Sequence, residues 1–437
     1  MTYQETLSWL HSMPRIHSAP TLERVRALLS MVGDPQNALS GRFLHVTGTN
    51  GKGSACAFLS SALRAQGYRV GRFISPFIME FRERMEIDGE QISEDEVIAI
   101  GAELQSVVNR YTQVTGQTPL EFELVTVMGF LYFARHACDF VVLEVGIGGM
   151  YDPTNVVTPL LSVIMRVDYD HTELLGDTLS AIAQQKAGII KPGAPCVLYA
   201  DNDAEVYDVI RRRCAETGSR LVIPDSDALT VGEARPGMLS FTYRESIFRL
   251  RLSGVYQVRN ALTAIEALRL LPSLGYAMSE GAIETGLAAA QFPARFEVLS
   301  QDPPILLDGA HNVSGMEALA ENIDFYYPDR PLLYLCGMLR DKNPEEALAT
   351  MLHADVRFCA CITPPSPRAM QAEDLCEIFR THGIASAPYA SVDDALHALK
   401  EMRGDAESDR LPILCFGSLY SAGDIRRACG ILNETAD

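Results

Sequence analysis

Residues 43–54 read FLHVTGTNGKGS, an apolar run that opens into three glycines around Lys52 and leads straight into SACAFLSSALRAQG. A strand that ends in a glycine turn before a helix offers backbone N–H groups and the positive end of a helix dipole, which is chemistry for holding a phosphate. Lys52 adds a full positive charge, and Thr49, Asn50, Gly51, Gly53 and Ser54 complete the candidate nucleotide-binding turn. The spacing departs from the general phosphate-loop pattern. Two residues rather than four separate Gly48 from Gly51, and Gly53 stands between Lys52 and Ser54. A chance glycine turn with a surface lysine is the alternative; the strand-turn-helix context favours nucleotide binding.

Further candidates follow other apolar runs. Ser75 ends RFIS, Glu144 lies near the end of FVVLEV, and Asp168, Asp170 and His171 follow VIMRV. Open parallel sheets bind ligands outside the carboxyl ends of their strands, where all of these would fall. A hydroxyl, a carboxylate and an imidazole beside a phosphate loop would hold magnesium, which takes oxygen ligands shared with substrate phosphates. Glu144 in so apolar a strand reads as functional, whereas an isolated histidine such as His171 is usually a hydrogen-bonded structural residue.

The elements that must position these groups are short β-rich runs alternating with helix-length segments. YRVGRFIS (68–75), DFVVLEVG (139–146), TPLLSVIMRV (158–167) and APCVLYA (194–200) read as strands, and EDEVIAIGAELQSVVNRY as a helix. Near-continuous apolar strands separated by helices predict a mostly parallel sheet covered on both faces. Helix patterns over 256–270 and 279–290 lead to QFPARFEVL, where the periodicity breaks. The expected organisation is therefore α/β: an N-terminal phosphate-loop domain over 1–294 and a smaller Rossmann-like α/β domain over 295–437, built on PILLDGA, PLLYLCGM, VRFCACITP and LPILCFGS. No repeat or low-complexity tract interrupts it.

Composition bounds the function. A chain of 437 residues exceeds a single core, and 47% hydrophobic with 21% charged residues is ordinary for a globular protein. A formal charge of −19 argues against a general nucleic-acid surface. The start MTYQETLSWLHSMPRIHS is not a signal peptide and no run approaches a membrane span, so a cytoplasmic protein without membrane attachment is expected. The ten cysteines include no C-x-x-C pair; Cys359 and Cys361, inside an apolar stretch, read as buried thiols.

HVTGTNGKGS, SPFIMEFRERMEIDG, EVGIGGMYDPTN, DHTELLG, QKAGI, YQVRNA, FPARFE and LDGAHN occur in an order that resembles the folylpolyglutamate synthases and the bifunctional dihydrofolate synthases, relatives of the Mur ligases. The resemblance spans nearly the whole chain. It implies ATP-dependent joining of a carboxylate to an amine through an acyl phosphate: L-glutamate onto the γ-carboxylate of a reduced folate. It further implies that Gly51, Lys52, Gly53 and Ser54 cradle ATP phosphates and that Ser75, Glu144 and His171 bind Mg2+. Lys186, of the QKAGI string, would be carbamylated and support the metal site. Tyr256, Gln257 and Asn260 would meet the adenine, Arg295 the phosphates, and Asp308 and His311 would be the second domain's catalytic and nucleotide-binding contribution. Arg82 and Arg84 are candidate contacts for anionic folate or glutamate, with a solvated loop as the alternative. The family is commonly monomeric, and a monomer is expected.

Bifunctional relatives often have GGRLDATN where this chain has GGMYDPTN, so Met150, Tyr151 and Pro153 stand for arginine, leucine and alanine. This weakens the expectation of dihydropteroate as a second substrate and favours polyglutamylation. A Mur-type cell-wall ligase is the enzymatic rival, disfavoured because only 47 residues precede Gly48. An ATP-binding module without catalysis, or a simple NTPase, is the rival of another class, disfavoured by the retention of Glu144, His171, Lys186, Arg295 and DGAHN.

Overall fold

In the computed structural model, which describes residues 1–15, 21–301, 304–402 and 410–431, the apolar runs around the glycine turn become neighbouring strands of one sheet. Its strands are β1 (Phe43–Thr47), β2 (Val70–Phe73), β3 (Met85–Ile87), β4 (Glu90–Gln91), β5 (Phe140–Glu144), β6 (Pro159–Ile164), β7 (Cys196–Leu198) and β8 (Leu221–Val222), in the order β4-β3-β2-β5-β1-β6-β7-β8. The six strands from β2 to β8 in that order pair in parallel, and β3 and β4 add an antiparallel edge. Every residue of β1 and β5 is buried, as an apolar strand covered on both faces requires.

The helix Glu94–Thr115 shows why the covering layer forms where it does. Ser93 caps it by accepting the Glu96 N–H at 3.2 Å, and Gly116 ends it in a left-handed conformation. Val97, Ile100, Leu104, Val108 and Tyr111 recur at helical spacing and form its buried face. Leu104 is fully buried, a contribution of about 2 kcal/mol.

A second sheet holds β9 (Leu229–Arg235), β10 (Met238–Tyr243) and β11 (Ser246–Leu250), all antiparallel. A third holds β12 (Glu297–Gln301), β13 (Pro304–Leu307), β14 (Leu332–Cys336), β15 (Val356–Ile362), β16 (Ser386–Tyr389) and β17 (Ile413–Phe416), in the order β12-β13-β17-β14-β15-β16. Only β12 runs antiparallel there. Cys359 and Cys361 are buried thiols, their sulfurs 3.9 Å apart.

The chain divides into compact units Met1–Ala228 with Arg259–Ala289, and Leu229–Val258 with Ala290–Asp437. Residues 229–258 belong to the second unit in this division. Within that unit the Val255 N–H donates to Asn322 Oδ1 at 2.6 Å, and the Tyr326 hydroxyl donates to the Ser253 carbonyl. The alternation in LSFTY that makes β10 half-buried is the signal that marks this small sheet.

Candidate active site

The glycine turn depends on two positions that tolerate no side chain. At Gly48 a Cβ would lie 2.6 Å from Met165 Cβ; at Gly51, with φ +86°, it would lie 2.6 Å from Asn260 Oδ1. Asn260, buried, therefore sits directly against the turn. The turn is also stitched to the loop after β6. The Thr49 N–H donates to the Arg166 carbonyl at 2.7 Å, and Thr49 Oγ1 both donates to the Asp168 carbonyl and accepts the Asp168 N–H at 2.9 Å. The Asn50 N–H points at the Arg166 carbonyl too, 3.4 Å away. Gly53 and Ser54 lie in the first turn of the helix Lys52–Ala65, both buried. The Lys52 ammonium folds over the turn and donates to the carbonyls of Gly48 and Thr49 at 3.0 and 3.2 Å.

Lys52 shares a narrow cleft of about 30 Å³ with His171, Asp170, Lys186 and residues 146–148. Lys186 lies on the helix Leu179–Ala187 and is buried. Burial first, and then the Lys52 charge, push its amine down to about 7, against the opposing pull of Asp170 and Asp152. His171 adopts a left-handed conformation, and its N–H donates to Asp170 Oδ1 at 2.8 Å.

Glu144 ends β5 as a buried carboxylate. Its Oε2 accepts the Ser75 N–H at 3.1 Å, and Ser75 Oγ accepts from Arg84 Nη1 at 3.2 Å. A hydroxyl and a carboxylate meeting at strand ends fit magnesium, which takes one or two protein oxygens and completes its shell with phosphate and water. Among the described residues no three His, Cys, Asp or Glu side chains form a ready-made metal cluster.

Arg82 and Arg84 do not form a solvated loop. Arg82 pairs with Glu80 at 3.0 Å and its side chain is 17% exposed; Arg84 lies over the Phe77 ring at 5.1 Å. The Arg84 guanidinium also lies 5.9 Å from the ring of Phe81, which is buried.

In the second unit, Asp308 is the organising group. Its Oδ2 accepts the Tyr256 hydroxyl at 2.7 Å and the Phe296 N–H at 2.8 Å, and its Oδ1 accepts the Ala310 N–H at 2.8 Å. Burial raises the Asp308 carboxyl, while the neighbouring Arg295 charge and the Tyr256 hydrogen bond oppose the rise. Arg295 donates to the Ala294 carbonyl at 3.2 Å and lies over Phe292. His311 Nδ1 donates to the Gly309 carbonyl at 2.7 Å, which fixes its tautomer. Gln257 is fully buried.

Some of the polar residues that shape the cleft are absent from the candidates read in the sequence. His45, Thr47, Asp152 and Thr154 are buried beside the loop that follows Glu144. Their signal was present: a histidine inside an otherwise apolar strand, and the aspartate and threonine of GGMYDPTN.

Family models of the Mur ligase middle domain and of the Mur ligase glutamate ligase domain match residues 46–268 and 294–419. These define the class: an ATP-dependent ligase with the domains of the Mur ligases. The dihydrofolate synthase/folylpolyglutamate synthase of Bacillus subtilis is 36% identical, over 97% of this chain and 98% of its own length. The folylpolyglutamate synthase of Lacticaseibacillus casei is 35% identical, over 98% of each. Among solved structures, the Mycobacterium tuberculosis folylpolyglutamate synthase complexed with ADP superposes with a TM-score of 0.88 at 28% identity, over 98% of both chains. A folylpolyglutamate synthase complex with AMPPCP and folate gives 0.82 at 33% identity, over 98% of this chain and 99% of the other. The chain belongs to the folylpolyglutamate synthase/dihydrofolate synthase family.

Proposed function

We propose that this chain joins L-glutamate to the γ-carboxylate of a reduced folate, using ATP to activate that carboxylate as an acyl phosphate. The observation that carries the reading is the cleft in which Lys52 and the buried Lys186 stand beside the glycine turn and close to His171. The full charge of Lys52 at the mouth of a phosphate turn, beside an amine that gives up its proton near neutral pH, is suited to a substrate that brings negative charge. The ATP-analogue and folate ligands of solved relatives support the substrate class.

A carboxylate oxygen is a poor leaving group. Its attack on the γ-phosphorus of ATP forms a C–O–P link and releases ADP; the glutamate amine then attacks the acyl carbon, and phosphate leaves with its bonding pair. Such transfer depends on positioning and charge neutralisation. Lys52 and the N–H groups of residues 51–54 hold the phosphates, and Arg295 is assigned to the charge that develops on them. Magnesium held by Ser75, Glu144 and His171 would supply further neutralisation. Asp308 orients Tyr256 and Arg295, while Gln257 and Asn260 are assigned to the adenine and His311 to the incoming amine. Arg82 and Arg84 are assigned to the anionic folate or glutamate.

Lys186 fits carbamylation. An amine brought down to about 7 is substantially neutral at physiological pH, so its lone pair can attack CO2 and lose a proton to solvent. The product places an anion beside the Lys52 ammonium, where an opposite charge is favoured. The ten thiols, none in a disulfide among the described residues, support a cytoplasmic, reducing compartment. No helix of the described residues is long and apolar enough to cross a membrane. The reading takes the chain as a monomer acting on small molecules.

Met150 and Tyr151 in the glycine loop favour folate over dihydropteroate as the acceptor. The test is ligation by the purified protein with ATP, glutamate and either tetrahydrofolate or dihydropteroate, with mass analysis of products. Product from tetrahydrofolate alone is expected. Product from both makes the enzyme bifunctional, and product from neither overturns the reading.

A further inference from the structure

His45 and Thr47 point to the same face of β1, since alternate residues of a strand share a face. Thr47 Oγ1 donates to the Gly148 carbonyl at 2.7 Å. His45 Nε2 lies 2.9 Å from Thr154 Oγ1, which lies 2.5 Å from Asp152 Oδ1. Asp152 Oδ1 also accepts the Thr154 N–H, and Oδ2 the Ile147 N–H, each at 3.0 Å. His45 and Thr154 are fully buried and Asp152 nearly so.

The direction of this chain follows from donor counting. The Thr154 hydroxyl donates its single proton to Asp152 Oδ1, so Thr154 Oγ1 accepts from His45 Nε2–H. Nδ1 of the neutral imidazole is then a bare lone pair, and it is buried without a partner among the described residues. Leaving such a group unsatisfied costs about 1–3 kcal/mol. A valine or phenylalanine at this point of an apolar strand would avoid that cost, so the histidine has to be explained by what Nε2 holds.

What it holds reaches Lys186. The loop anchored by Asp152 donates from the Met150 N–H to the Gln185 carbonyl at 2.7 Å. Asn155 Nδ2 ties the Met150 and Gly188 carbonyls together at 2.9 and 3.1 Å. A Cβ on Gly149 would lie 3.2 Å from Lys186 Cα. The strand that delivers the phosphate turn therefore also fixes, through its side chains, the loop against which the Lys186 helix rests.

We propose that His45 and Thr154 are positioning residues for the ligation reaction: with Asp152 they form a buried hydrogen-bonded strut from β1 that keeps the loop 146–152, and through it Lys186, in register with the phosphate turn. The proposal rests on the assignment of Lys186 to the chemistry. Displacing a reacting group by about 1 Å can cost roughly 100-fold in rate, and a strut that sets register acts on that scale.

Thr154→Val keeps the shape and removes the hydroxyl. The expected result is a kcat for glutamyl transfer lowered roughly 10- to 100-fold, with KM for ATP within about twofold of the original and an unchanged far-UV spectrum. Thr154→Ser restores kcat to within about threefold. His45→Phe behaves as Thr154→Val, His45→Gln recovers part of the loss, and the His45→Phe/Thr154→Val double variant is no worse than either, because both break one chain. If Thr154→Val does not fold, the contrast between His45→Phe and His45→Gln carries the same test. Lys186→Ala is measured alongside. Its turnover matching the original protein overturns the assignment of Lys186, and the proposal with it. Loss of turnover in Lys186→Ala with kcat retained in Thr154→Val and His45→Phe overturns the strut alone. A kcat in Thr154→Ser as low as in Thr154→Val also overturns it.

Discussion

The two units hold their charged residues in opposite ways. Around the glycine turn, Lys52 and Lys186 share one cleft, and burial with like charge drives the second amine down to about 7. Around Asp308, a tyrosine hydroxyl and two backbone N–H groups saturate a single buried carboxylate beside an arginine. The first arrangement is unbalanced: burial and the Lys52 charge hold Lys186 away from its ordinary protonated state, and arriving negative charge would favour that state. The second is balanced as it stands and is suited to fixing geometry. Pre-set charge and pre-set geometry are the two contributions that phosphoryl transfer asks of a protein.

That contrast fixes the order of the expected effects. Substitutions in the unbalanced region should cost activity and spare stability. Lys52→Ala and Lys186→Ala should each lower kcat by roughly 100- to 1000-fold, read as glutamate-dependent ADP release. For Lys186 the sign of the stability change is set by its amine at about 7, below the ordinary 10.5. Between those values the unfolded chain holds a proton that the folded chain expels, a cost present at neutral pH and lost as pH rises through the upper value. Lys186→Met should therefore raise the melting temperature at pH 7, and a fall would contradict the assignment.

In the balanced region stability should fall as well. Asp308→Ala strands the Tyr256 hydroxyl and two N–H groups, with a loss of about 3 kcal/mol in urea unfolding. Unaltered unfolding would show that Asp308 is not the organising group.

His45 gives a pH-resolved test of intermediate size. Burial, with Lys191 adding to it, pushes its imidazole from 6.5 down to about 3. As pH falls below 6.5 the unfolded chain takes up a proton that the folded chain refuses, so stability is lost progressively down to about 3. His45→Gln removes this term. Relative to its own value at pH 7, the variant should gain about 2 kcal/mol on the original protein by pH 5. The smallest effect is expected at Arg82, whose pair with Glu80 is local: Arg82→Ala should change stability by about 1 kcal/mol or less, while a raised KM for folate would mark it as a substrate contact.

Much of this was legible in residues 43–54, because strand, glycine turn and helix are all local signals, although the neighbours that forbid a side chain at Gly48 and Gly51, Met165 and Asn260, lie far along the chain. Glu144 and Ser75 were legible as polar residues at apolar strand ends. The β9–β11 sheet was less legible, since only β10 shows a clean alternation, and the place of residues 229–258 in the second unit rests on hydrogen bonds with Asn322 and Tyr326, far along the chain. Nor was the role of Asp152, which depends on a histidine 107 residues earlier reaching it through Thr154. The depressed amine of Lys186 was invisible for the same reason: burial and the distance to Lys52 are properties of the packed chain, and the residue stood out only through the QKAGI resemblance.

The most direct test of the account follows an oxygen atom. Tetrahydrofolate labelled with heavy oxygen in its γ-carboxylate is incubated with the protein, ATP, Mg2+ and glutamate, and the released phosphate is analysed by mass. Activation as an acyl phosphate predicts that one labelled oxygen moves from the carboxylate to the phosphate for each glutamate joined. Glutamylated product accompanied by unlabelled phosphate would contradict it.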